Sequence, residues 1–150
     1  MDDFAEKYKA ATEEFLNTVA SLKDNDFDKS DSEGWTPRQV IHHMADSEAQ
    51  SYARLRRLIA EPGTQIQGCD EAKWAQNSTL GYQSQPIQDS VAVIQAVRQA
   101  SYELIKRITE NQLSVTGLHS ESGEYSVQNW LDTYIKHPVD HANQIRNCLK

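Results

Sequence analysis

Apolar residues recur at intervals of three and four in four separate runs along the chain, and nowhere do they alternate convincingly with polar ones. That spacing puts each run on one face of an α-helix. Phe4, Tyr8, Ala11, Phe15, Val19 and Leu22 predict a first helix over about residues 3 to 23, followed by a polar loop from Asp24 to Gly34. Trp35-Thr36-Pro37-Arg38-Gln39 then reads as a helix start: Thr36 caps, Pro37 suits the first helical position, and Gln39 closes a capping box. Ile41, Met44, Ala45, Tyr52, Leu55 and Ile59 continue the second helix until Glu61-Pro62-Gly63 stops it, with Glu48 projecting into the middle of the stripe.

Residues 62 to about 84 form a long connection with room for one helical turn around Asp70 to Trp74; connections of this length are often functional. Ser84-Gln85-Pro86 opens a third helix, marked by Ile87, Val91, Ile94, Val97, Leu104, Ile105 and Ile108, to about residue 111. A second loop, Gly117 to Gly123, leads to Ser126, the cap of a fourth helix whose buried stripe is Trp130, Tyr134, Ile145 and Leu149. The predicted fold is all-α, a four-helix bundle forming one domain over residues 1–150, with essentially no sheet.

Composition narrows the function classes. The 150 residues suffice for one substantial core. A net charge of −7 argues against nucleic acid or an anionic membrane surface as partner. No apolar run reaches membrane-spanning length, and Met1-Asp-Asp-Phe lacks the opening of a signal peptide. Cys69 and Cys148 make no disulfide framework, so a cytoplasmic location is expected.

The candidate chemistry lies in histidines. His137 and His141 sit about 40° apart around the fourth helix, His141 within the apolar stripe and His137 on its border. Inward imidazoles need partners for both nitrogens and repel each other when protonated; a divalent metal removes both problems. The plainer reading is one satisfied core histidine and one exposed. On the second helix, His42 and His43 each lie roughly 130° from the centre of the stripe. Val40 and Leu58 project on the His43 side and favour it as the inward one, although either alone reads as a surface residue. One histidine from this pair, with the HxxxH pair, makes a three-imidazole set that leaves coordination positions open.

Gly34-Trp-Thr-Pro-Arg-Gln-Val-Ile-His-His43-Met-Ala-Asp46-Ser, Cys69-Asp-Glu-Ala-Lys-Trp74-Ala, His119-Ser-Glu-Ser-Gly123 and Tyr134 to Ile145 follow one another as the motifs of the DinB/YfiT-like metal-dependent superfamily do. The chain resembles that family from about residue 30 onward, and its YfiT-like branch most. The resemblance implies a bundle holding nickel or zinc through His43, His137 and His141, the second histidine of the helix-2 pair being the ligand. It also implies a hydrolase, or a thiol S-transferase using a low-molecular-weight thiol, acting on a small-molecule substrate, in a family many of whose members form homodimers. The rival class is a non-catalytic, metal-stabilised binding or stress-response module. Pro138 and Asp140 depart from a Gly and a His of the family pattern, and Gln144 and Glu48 stand where histidines are common. Pro138 predicts a kink.

Further residues carry paired readings. Asp46 is placed to orient a ligand imidazole or act as a catalytic base, or is a solvated carboxylate. Glu48 either meets a buried donor, faces a polar pocket or, on a rotated helix, is exposed, and the last is the simplest. Trp74 roofs the site or plugs the bundle end. His119 matches a family loop histidine, yet as a lone loop residue reads as solvated. Cys148 fills core, Cys69 has no assigned role, and Arg54, Arg56 and Arg57 form a charged helix face.

Overall fold

A computed structural model describes residues 1–150. Its helices are α1 (Asp2–Ala20), α2 (Pro37–Ala60), α3 (Glu71–Gln76), α4 (Gln88–Ile105) and α5 (Val127–Cys148). The four long ones form the bundle. α1 packs on α4 and α5, α2 packs on the same two, and α1 and α2 therefore face each other across the bundle. No helix is long and apolar enough to cross a membrane.

Local chemistry sets the helix starts. Thr36 accepts from the Gln39 backbone N–H while the Gln39 side chain accepts from the Thr36 N–H, with Pro37 at the first position. Ser126 and Asn129 repeat this capping box at the start of α5, and Asp70 caps α3. The third bundle helix stops at Ile105, short of the residue 111 its apolar spacing predicts. Lys106 and Arg107 turn the chain, and Ile108 is buried from outside the helix. Leu149 lies beyond the end of α5 and is exposed rather than part of its stripe.

A small sheet, absent from the sequence expectation, braces the two long connections. β1 (Gln65–Ile66) pairs parallel to β2 (Thr116–His119), which pairs antiparallel to β3 (Gly123–Ser126). Strands of two to four residues are too short to show alternation. At Gly117 a Cβ would come within 2.6 Å of the Thr64 carbonyl oxygen, so only glycine allows the strands to approach there.

The core is stratified. One apolar cluster includes Tyr8, Leu55, Leu58, Ile105, Trp130 and Tyr134. The other includes Phe15, Val40, Ile41, Met44, Ile94 and Ile145. Between these levels on the helices lie Thr12, Glu48, Ser51, Arg98, Ser101 and His137, a polar layer across the middle of the bundle. Arg98 is its hub, 1% exposed. It donates to Glu48 Oε1 (2.8 Å), Thr12 Oγ1 (2.6 Å) and the carbonyls of Tyr8 (3.1 Å) and Tyr134 (3.2 Å), and its guanidinium lies 3.7 Å from the Tyr8 ring centre.

The Tyr134 contact explains the behaviour of Pro138. A proline inside a helix removes the N–H that would bond the carbonyl four residues back. That carbonyl belongs to Tyr134, and Arg98 supplies the replacement donor. α5 runs as helix through Pro138, the position at which the sequence predicts a kink. Glu48 corrects the expectation of an exposed carboxylate: it is 0% exposed, because Arg98 meets it from α4.

Candidate metal centre

α2 and α5 bring His43, His137 and His141 together, with one ligand nitrogen from each within 4.8 Å of the others. His137 Nε2 and His141 Nε2 are 3.1 Å apart. Two nitrogens bound tetrahedrally at about 2.05 Å from a metal such as zinc would be separated by about 3.3 Å, so this spacing fits a shared ion. His43 is 3% exposed and its Nε2 has no hydrogen-bond partner, a costly state for a buried polar atom. Burial and the neighbouring His141 and His137 depress the His43 pKa to about 3. Burial and His137 take His141 down to about 4. Both rings are therefore neutral near pH 7, the form a metal requires.

The outer nitrogens face oxygen. His141 Nδ1 lies 2.8 Å from Gln144 Oε1, and the Gln144 amide nitrogen donates to Asp31 Oδ2 at 3.4 Å. Asp31 thus orients the amide, whose oxygen requires a proton on His141 Nδ1 and leaves its Nε2 lone pair free. His137 Nδ1 faces Glu48 Oε1 at 3.5 Å, a contact that falls short of a hydrogen bond and leaves this buried nitrogen, too, without a partner. Burial alone would raise the Glu48 pKa, but Arg98, His137 and Ser51 together hold it below the usual carboxylate range. The outer contacts, the orphaned Nε2 and the neutral rings all fit a divalent ion.

His141 forms part of the wall of a cavity of about 580 Å³, lined by polar side chains, among them Asp31, Glu33, Glu71 and Asp140, with Trp35 as the apolar exception. Glu71 Oε1, from α3, lies 3.8 Å from His43 Nε2. Glu71 stands in the Asp-Glu-Ala-Lys-Trp stretch, in which the sequence pattern points to Trp74 instead. Trp74 is half-buried and does not line this cavity.

The remaining expected residues lie elsewhere. His42 is buried, not on the surface: Nδ1 meets Ser90 Oγ at 2.8 Å and Nε2 the Gln85 carbonyl at 3.0 Å. The Asp46 carboxylate accepts from Tyr82 Oη at 2.5 Å, and no hydrogen bond or ion pair joins it to the three histidines. Asp140 pairs with Lys136. His119 ends β2, where its Nδ1 accepts from the backbone of Glu121 and Ser122. Cys148 is buried, its thiol against the Trp35 carbonyl. Arg54 reaches Tyr134 Oη and the Gln67 carbonyl, so that cluster is only partly a free charged face.

Fold and site together define a helical bundle with a three-histidine centre between its second and last bundle helices. The sequence pattern of the DinB superfamily matches residues 7–145, and the chain belongs to that superfamily. A protein of Oceanobacillus iheyensis, provisionally named a metal-dependent hydrolase, is 35% identical over 135 residues, covering 89% of this chain and 77% of its own. A relative from Bacillus mycoides with the same provisional name is 28% identical over 149 residues, covering 96% and 84%. The structure of YfiT from Bacillus subtilis, described provisionally as a metal-dependent hydrolase with an unusual four-helix bundle topology, superposes with a TM-score of 0.87. It covers 98% of this chain and 84% of its own, at 24% identity, and so bears on the fold.

Proposed function

We propose that His43, His137 and His141 hold a divalent metal, nickel or zinc, and that the chain is a metal-dependent enzyme acting on a small molecule. The carrying observation is the unpartnered, buried Nε2 of His43 beside two histidines whose outer nitrogens already face oxygen. Such an ion, with coordination positions left open, is a Lewis acid that acidifies a water or thiol and polarises the group under attack. Glu71 lines the adjacent cavity and approaches His43, so it is the carboxylate suited to accept the proton of the nucleophile. Asp46 is less suited, because Tyr82 already occupies its carboxylate.

The names of the relatives favour hydrolysis over thiol transfer. The non-catalytic alternative calls for a closed centre, typically with four protein ligands. Only three grouped ligands and a cavity beside them speak for the enzyme. The test uses protein prepared without a metal-affinity tag, loaded with nickel or zinc, and screened against activated esters and amides and for conjugation of several thiols to electrophiles. Metal-dependent turnover that falls at least 100-fold in Glu71→Gln, with metal retained, is the expected result. Metal-loaded protein inactive in every assay would favour the structural role, and equal activity in Glu71→Gln would remove Glu71 from the reaction.

A further inference from the structure

We infer that Glu48, held in place by Arg98, is the positioning residue that forces His137 to present its Nε2 lone pair to the metal centre. The inference rests on the metal reading above, but its core concerns the protein without metal. Asp31 and Gln144 place the proton of His141 on Nδ1, so its Nε2 is a lone pair 3.1 Å from His137 Nε2. Left to itself, His137 would put its proton on Nε2 and donate it to His141. The two rings would then satisfy each other and close the site.

Glu48 opposes that arrangement. With the proton on Nε2, the Nδ1 lone pair of His137 would face a carboxylate oxygen at 3.5 Å inside the core. With the proton on Nδ1, that contact becomes attractive, and Nε2 turns its lone pair toward the lone pair of His141. The remaining repulsion lies between the two Nε2 atoms, where a cation would relieve it. His137 Nδ1 is buried and makes no hydrogen bond of normal geometry, and the Glu48 oxygen at 3.5 Å is the charged group it faces. Ser51 donates to Glu48 Oε2 at 3.1 Å and Arg98 to Oε1 at 2.8 Å, which fixes the carboxylate in its orientation. Outer-shell partners of this kind are typically worth about 10–100-fold in metal affinity.

The first test is nitrogen-15 NMR of the histidine rings in chelated wild-type protein above pH 7.5. His137 is expected as the tautomer protonated on Nδ1; a proton on Nε2 overturns the inference without any variant. The second uses Glu48→Met with Arg98→Met, which removes both charges together and so avoids leaving one buried alone. In the folded double variant His137 is expected to move its proton to Nε2 while His141 keeps its own on Nδ1. Zinc affinity, measured by chelator competition, is expected to fall about 10–100-fold. An unchanged His137 tautomer or unchanged zinc affinity in that variant overturns the inference. Wild-type protein that binds no zinc would instead sink the metal reading, and the chelated spectra would still report on Glu48.

Discussion

His42 and His43 are neighbours in sequence and both are buried, yet they sit in opposite kinds of surroundings. His42 has both ring nitrogens engaged, by Ser90 and the Gln85 carbonyl, and its ring stacks on Tyr82. It fastens the first turn of α4 and the segment before it onto α2. His43 has a buried Nε2 with no partner and two more imidazoles against it. A buried histidine with its hydrogen bonds complete is architecture, whereas one left incomplete beside others of its kind has a lone pair to offer a ligand. Burial separates the two poorly, since His42 is 7% exposed and His43 3%. Hydrogen-bond completeness separates them cleanly.

The largest effect that sharpens this contrast is the pH dependence of the chelated protein. His43 and His141 have folded pKa values near 3 and 4, below the 6.5 of an unfolded histidine. Between those limits the unfolded chain binds more protons, so stability falls as pH drops from about 6.5 toward 4, then levels. Each histidine contributes a slope of up to about 1.4 kcal/mol per pH unit. Denaturation across that range should show the slope reduced in His43→Ala; an undiminished slope would mean that ring is not buried neutral.

Metal comes next. At about 100-fold excess over its dissociation constant, a bound ion adds about 2.7 kcal/mol, or roughly 5–10 °C in melting temperature for a chain of this size. Because protons reach folded His43 and His141 only toward pH 4, those two ligands should not themselves release the ion until the pH falls well below 6.5. Melting of metal-loaded and chelated protein across that range checks this, and proton uptake by His43 or His141 near pH 6.5 would indicate a solvated site.

On the other side of the comparison, His42→Ala should cost about 1–2 kcal/mol by leaving its two partners unmet, with metal affinity unchanged within a factor of about two. The smallest effect is that of Tyr82→Phe, which loses one hydrogen bond to the half-exposed Asp46, about 1 kcal/mol. It should leave metal content intact. A metal loss in either variant would join the two sides of α2 into one site.

Much of this was legible along the chain wherever the cause is local. The capping boxes at Thr36 and Ser126 and the apolar stripes placed the bundle helices; the spacing of His137 and His141 marked that pair, and the family resemblance, with the apolar flank only favouring it, added His43. What escaped has causes distant in sequence. Glu48 reads as a misfit on its own helix, and its partner Arg98 lies fifty residues on. Arg98 falls on the inward stripe of α4 between Ile94 and Ile105, so two opposite inward charges on separate helices were a usable signal. The same guanidinium supplies a donor to the Tyr134 carbonyl that Pro138 leaves unpaired, which no reading of α5 alone would foresee. Glu71 became visible only once α3 was laid against α2.

The central claim is that His43, and not His42, belongs to a metal centre shared with α5. Elemental analysis of wild type, His42→Ala and His43→Ala, all purified without a metal-affinity tag, tests it most directly. One nickel or zinc ion per chain is expected in wild type and in His42→Ala, with stoichiometry falling sharply in His43→Ala. Equal losses in the two variants, the reverse order, or a wild-type protein that acquires no divalent ion when offered one would contradict it.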